Sequence, residues 1–311
     1  MMRPSFGDVV AEHRAIRDDV AVVHGGHEVV WVEGPGAAGF LQGILSQDVE
    51  SMATGDVRRS FLLAPQGKLE ALLWLFKGSE RVGIIVDAGF GAFVAERLNR
   101  YRIRVKAEVR EESGPVWSLW GPRSGEVADV GEHWADRDGV VRVPFHTRGV
   151  DRVLILGDLE VSGLAQAGEL ATTAVRVESG EPVMGRDVGE STIPQETGLV
   201  PDAVSFTKGC YLGQELVARI DTRGRVNRNL RGLAVTRNVR PPEGAEVWAG
   251  DREVGRITSV SESVFVGAPI GLGLLRREAE PGDEVEIRWP DASTPALVRD
   301  LPFLSESARQ E

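Results

Sequence analysis

Three strand-like runs, residues 59–64, 69–76 and 81–86, are separated only by Pro65-Gln-Gly67 and Lys77-Gly-Ser79. Turns that short cannot carry the helical crossover that parallel neighbours need, so the runs must pair antiparallel. A strand over residues 28–33 and an apolar-faced helix over 37–46 come first, with Phe40, Leu41, Ile44 and Leu45 recurring at helical spacing. A helix over 89–101 and a strand over 104–109 complete the block. A second block has strands at 116–120, 140–143 and 152–156 and a helix around 164–171. The pattern predicts two small α+β sandwiches rather than one doubly wound sheet. After Leu230 short strands are punctuated by Pro241-Pro242, Ala249-Gly-Asp251, Ala268-Pro269 and Pro281-Gly-Asp283, which predicts a separate all-β domain, a barrel or sandwich.

At 311 residues the chain is too long for one compact core, in keeping with several domains. Its hydrophobic fraction of 42% is that of a globular chain, expected to fold throughout except for the tail after Leu304. A formal charge of −11 argues against high-affinity nucleic-acid binding, which draws on a net basic surface. Charged residues interrupt the first turns, and no apolar run approaches membrane-spanning length, so a cytoplasmic protein without a membrane partner is expected. The single cysteine, Cys210, excludes an internal disulfide, a multi-thiolate zinc cage and a four-cysteine iron–sulfur site within one chain.

Gly34-Pro-Gly-Ala-Ala-Gly39 matches the dinucleotide pattern G-x-G-x-x-G between a strand and a helix. The next strand ends in Leu62-Leu-Ala64 followed by Pro65, with no acidic side chain for a ribose hydroxyl, and Pro35 removes a backbone donor. The segment reads as a structural turn.

Reactive residue types pool in Lys208-Gly-Cys-Tyr-Leu-Gly-Gln-Glu215: the sole cysteine, one of two tyrosines and one of four lysines. Gly209 is expected to permit a close backbone approach, and residues 213–220 read as a helix. Cys210 would then stand before a helix N-terminus near Lys208, both of which favour a thiolate. A buried, inert cysteine fits the spacing equally well. Upstream lie Arg176-Val-Glu-Ser-Gly180, Gly185-Arg-Asp187 and Ile193-Pro-Gln-Glu-Thr-Gly-Leu199. A carboxylate such as Glu178 suits the paired donors of an aminopyrimidine, with a surface ion pair as the plainer reading. Downstream, Arg219, Arg223, Arg225, Arg228 and Arg231 suit carboxylates or phosphates, or a solvated face.

Taken in order, R-x-E-x-G, G-x-D, I-P-Q-E-x-G-L, K-G-C-Y-x-G-Q-E and R-x-L-R-G-L resemble the YgfZ family of folate-binding proteins, within the superfamily of the glycine-cleavage T-protein. Gly36-Ala-Ala-Gly-Phe-Leu-Gln42 and Ser46-Gln-Asp-Val49 resemble the superfamily's N-terminal part. The resemblance implies two ferredoxin-like α+β domains and a C-terminal β-barrel around a central cleft: residues 1–50 with 114–230, an insertion at 51–113, and 231–311. It implies tetrahydrofolate, or a one-carbon derivative, in that cleft, and a role in assembling or repairing iron–sulfur proteins, including tRNA-modifying enzymes. By motif position Cys210 is the functional thiol with Lys208 beside it. Glu178 falls where T-protein relatives have a pterin-contacting carboxylate, Tyr211 and Gln214 are expected as further cofactor contacts, and Arg219, Arg223, Arg228 and Arg231 as candidates for the glutamate tail. T-protein relatives carry paired acidic residues after a double glycine. Here Pro65-Gln-Gly-Lys-Leu-Glu-Ala71 keeps at most Glu70, so folate-dependent aminomethyl transfer stands as an alternative, and a folate-independent docking scaffold as another.

Overall fold

The structure, a computed structural model, describes residues 2–303. Helix α1 (Val9–Asp18) starts where the Asp8 carboxylate accepts from the amides of Val10 and Ala11, and runs into β1 (Ala21–His24) and β2 (His27–Glu33). Next come α2 (Ala37–Gln42), β3 (Val57–Leu63), β4 (Leu69–Lys77), β5 (Arg81–Asp87), α3 (Gly91–Tyr101) and β6 (Glu108–Glu111). Then follow β7 (Val116–Trp120), α4 (Ser124–Ala128), β8 (Ala135–Arg137), β9 (Val140–Pro144), β10 (Arg152–Leu156), β11 (Ala165–Gln166) and α5 (Glu169–Ser179). Two further helices, α6 (Val200–Ala203) and α7 (Gln214–Arg223), precede β12 (Arg228–Val235), β13 (Glu246–Ala249), β14 (Arg252–Ser263), β15 (Ala268–Arg276), β16 (Glu284–Trp289) and β17 (Ala292–Arg299).

The strands form a six-stranded sheet β11-β1-β7-β10-β9-β8, a five-stranded sheet β3-β4-β5-β2-β6 and a closed barrel β12-β15-β14-β13-β16-β17. The expected two α+β units and C-terminal β-barrel are therefore present. Strand periodicity decides the layers. In β2, Val30 and Val32 face α2 and α3, whereas Val29 and Trp31 join Val141, Val143 and Leu154 of the other sheet in one shared core. The two sheets thus pack face to face.

Three expectations shift. Strand β2 pairs along its whole length with β5, so residues 27–33 share a sheet with strands of the expected 51–113 insertion rather than with those of the 1–50 plus 114–230 unit. The strand expected over 104–109 begins at Glu108, because Arg104 takes a left-handed φ of 59° and turns the chain first. The helix expected around 164–171 begins at Glu169 and runs to Ser179, after the short parallel strand β11. Among the described residues no helix is long and apolar enough to cross a membrane. The G-x-G-x-x-G segment is architectural: the amides of Gly34 and Gly36 already donate to the carbonyls of Glu80 and Lys106, and a Cβ on Gly34 would lie 2.6 Å from the Lys106 oxygen.

Candidate functional site

A cavity of roughly 440 Å³ opens where the two sheets meet α5 and the loop after it. That volume lies in the range of small-molecule sites. The start of β2 supplies His27, β3 and β4 supply Arg59 and Trp74, β5 supplies Asp87, β7 and β10 supply Trp120 and Arg152, and the segment after α5 supplies Glu181 and Met184. Phe145 completes an aromatic wall, standing edge-on to Trp74 at 5.8 Å and to His27 at 5.4 Å between centroids.

Charge is arranged along one side. Arg59 Nη2 donates to both Glu181 oxygens, at 2.8 and 2.9 Å, with its guanidinium 4.5 Å from the Trp74 centroid. Arg176 fixes the loop by donating to the Glu181 carbonyl and to Asp187 Oδ2, each at 2.7 Å, and to Ser259 of the barrel at 2.6 Å. Asp87 accepts from the Met184 amide at 2.8 Å. Burial pushes its carboxyl up to about 7, against the Met184 amide and with help from the Glu181 charge. His27 is held neutral, pulled down to about 3 by burial and then by the charge of Arg152. The site therefore offers carboxyl acceptors, guanidinium donors and flat apolar walls, which suits a planar ring with hydrogen-bonding edges.

The motif residues lie elsewhere. Lys208 Nζ donates to the carbonyls of Gln42, Leu45 and Gln47 at 2.7, 2.7 and 2.9 Å, using all three donors to tie its loop to the segment after α2. Burial pulls its ammonium down to about 8, while Asp48 and Glu50 act the other way. Cys210 is exposed and lines neither this cavity nor its neighbour. Tyr211 is buried at 8% exposure among Phe61, Leu63, Met184 and Leu199, and burial pushes its phenol up to about 12. Phe61, Met184 and Leu199 also line the cavity, so the motif reaches it only through this apolar layer. Gln214 Oε1 accepts from the Tyr211 amide at 3.2 Å. Close approach in the loop is made by Gly213, not Gly209: at φ +78° a Cβ on Gly213 would stand 2.5 Å from the Ala64 oxygen, whereas one on Gly209 would meet nothing.

Glu178 is fully buried outside the cavity lining. Its carboxylate accepts from Ser263 Oγ at 2.6 Å and from the Arg17 guanidinium, and His13 Nε2 lies 3.0 Å away. Burial pushes the carboxyl up, but His13, Arg17 and Ser263 together outweigh it and hold it below the usual range. Arg228 pairs with Glu196 at 2.8 and 3.0 Å, Arg231 pairs with Asp300 at 2.9 Å, and Arg219 is exposed on α7. Arg223 closes α7, and its side chain lies outside the described residues. Arg219, Arg228 and Arg231 do not line the cavity. A second hollow of roughly 490 Å³ shares Arg59, Trp74 and Leu199 with the first and is bordered by Arg58, His146 and Arg148.

The cavity residues His27, Arg59, Asp87, Arg152 and Glu181 were not legible as a set in the sequence. Two carried a signal: Asp87 ends an apolar strand, and Arg152 heads the unbroken apolar run Val153-Leu-Ile-Leu156.

Comparison with known proteins agrees with this architecture. The GCVT N-terminal domain profile matches residues 2–138, and that of the glycine cleavage T-protein C-terminal barrel domain matches residues 228–304. Together these matches place the chain in the glycine-cleavage T-protein superfamily. An aminomethyltransferase of Chlorobium luteolum is 24% identical, over 99% of this chain and 93% of its own. An uncharacterized protein of Haemophilus influenzae is 26% identical over 75% of this chain and 81% of its own. The crystal structure of the glycine cleavage system aminomethyltransferase T from Bartonella henselae superposes with a TM-score of 0.87 at 21% identity, covering 95% of this chain and 89% of that one.

Proposed function

We propose that the cavity binds tetrahydrofolate or a one-carbon derivative, and that the chain is a cytoplasmic folate-binding factor of the YgfZ type serving iron–sulfur proteins, including tRNA-modifying enzymes. The observation that carries the folate reading is the cavity itself. Aromatic faces of Trp74, Trp120 and Phe145 stand beside the carboxyl groups of Asp87 and Glu181. Unpartnered nitrogens on Arg152 and His27 match a ring with polar edges. In this reading the pterin lies inside, and the tail leaves past Arg59 toward Arg58 and Arg148, where its carboxylates would meet positive charge.

Glu70 favours a maintenance role over aminomethyl transfer. It is the one carboxylate in the stretch where T-protein relatives carry an acidic pair, and it is buried with both oxygens engaged by Arg97, outside the cavity lining. A carboxylate so engaged is a poor base for activating an amine. Cys210, exposed and outside the cavity, supports thiol chemistry toward a protein partner rather than toward the bound cofactor.

Calorimetry with tetrahydrofolate tests the binding step, and no heat at millimolar ligand would overturn it. The second reading, aminomethyl transfer, rests on the activity named for the Chlorobium and Bartonella relatives. Turnover of an aminomethylated lipoyl carrier would promote it. Restored activity of an iron–sulfur enzyme in cells lacking the chain, without such turnover, supports the first.

A further inference from the structure

Arg152 stands in an unusual position for a guanidinium. It is 3% exposed, at the head of β10, with its carbon 3.7 Å from the Trp120 centroid, and it borders the cavity. Its Nε and Nη2 are buried without a hydrogen-bond partner. Burial pulls the group down to about 9, which still leaves it charged at neutral pH. Stacking on the indole fixes the plane of the fork, and a fixed charged fork is a two-point donor.

The neighbouring carboxylates do not fill that role. Both oxygens of Glu181 accept from Arg59, and Asp87 Oδ2 accepts from the Met184 amide. Asp187 is taken by Arg176, Thr258 and Ser259. His27, the other cavity residue with a buried unpartnered nitrogen, is neutral and bears no negative charge to offset the guanidinium. A buried cation left this way is costly unless something entering the cavity brings acceptors.

We propose that Arg152 is the specificity-determining contact of the cavity, donating from its fork to a ring carbonyl of the ligand, while Asp87 accepts from the adjoining ring N–H and amino groups. The inference rests on the folate reading and deepens it. On a pterin those features run in order along one edge: the 2-amino group, N3–H and the C4 carbonyl. A 2,4-diaminopteridine reverses the last two, placing an acceptor at N3 and an amino donor at position 4. Against Arg152 that substitution sets donor against donor, and a site built to hydrogen-bond one pattern rejects its reverse.

Folic acid and aminopterin differ only at position 4, so together with tetrahydrofolate they make the test, run by titration calorimetry on the full chain. Wild type is expected to bind folic acid at least about 10-fold more tightly than aminopterin, the scale of one charge-assisted hydrogen bond. Arg152→Met should lower tetrahydrofolate affinity about 10- to 100-fold and shrink the folic acid preference toward unity. Arg152→Lys keeps the charge, loses the fork and should fall between the two. Equal binding of folic acid and aminopterin by wild type overturns the assignment of Arg152 and leaves folate binding standing. That ratio decides even where a variant fails to fold, which circular dichroism would reveal. No binding of any of the three compounds overturns the folate reading and this inference together.

Discussion

The loop Lys208–Glu215 and the central cavity invert what their sequences advertise. The loop gathers the sole cysteine and a rare lysine, yet its lysine serves three backbone carbonyls and its Gly213 seats the backbone of the β3–β4 turn. The cavity is built from residues scattered between Met2 and Leu199, none conspicuous alone, and holds a perturbed acid, a stacked guanidinium and a neutral histidine. A dense local motif can be architecture, while chemistry that needs groups facing one another must come from several elements.

The largest effect expected is on the joint that holds the cavity loop. Asp187→Ala strips the buried Arg176 of its carboxylate and leaves Ser259 and the Val183 amide without the acceptor they share. It should cost about 3–5 kcal/mol in urea unfolding. A loss under 1 kcal/mol would mean that the loop does not depend on the barrel.

Next comes the motif lysine. Lys208→Met keeps the length of the side chain but leaves three carbonyls unserved, at about 2–3 kcal/mol. If Lys208 is architectural, tetrahydrofolate affinity measured well below the melting temperature should stay within about 3-fold. A selective loss of binding would move the motif from architecture to chemistry and break the comparison.

Asp87 gives a pH signature. Its carboxyl keeps its proton up to about 7 in the folded chain, against an ordinary value of 3.8. Across that window the folded state binds more protons than the unfolded one, so stability should fall as pH rises from about 4 to 7. Because the group borders a cavity, the expected drop is about 1–2 kcal/mol, smaller than the full shift implies. Ligand donors favour the ionised form, so tetrahydrofolate affinity should rise from pH 6 to 8. Asp87→Asn should flatten both profiles, and an unchanged slope would assign the titration to another group.

The smallest effect is predicted for the most conspicuous residue. Cys210→Ser, at an exposed site, should change stability by less than about 0.5 kcal/mol and leave cofactor affinity unaltered. Its influence, if the thiol meets a partner protein, should appear only as lost iron–sulfur enzyme activity in cells.

Particular elements show what could be read in advance. The β3–β5 meander and the all-β character of the C-terminal domain were legible because turn residues sit at fixed places between short strands, whereas closure into a barrel rather than a sandwich was implied only by the family resemblance. Helix α5 was misplaced because it is buried nearly all round, with Thr172, Arg176, Glu178 and Ser179 inside, and so shows no simple apolar stripe. Those polar residues are affordable only where distant partners exist: Ser259 and Asp187 for Arg176, and His13, Arg17 and Ser263 for Glu178. The same reason moved the expected pterin carboxylate away from the cavity, since a sequence shows that Glu178 is acidic but not which cation reaches it first.

By itself the sequence determined the antiparallel α+β blocks and an all-β C-terminal domain, because turn chemistry and periodicity are local properties of the chain, and its motifs carried the superfamily resemblance. Only the tertiary structure decided that β2 joins the second sheet, that Lys208 is spent on carbonyls, and that Asp87, Arg152 and Glu181 share one cavity. Those outcomes depend on which groups meet across long separations, and on the desolvation and pairing that follow from meeting.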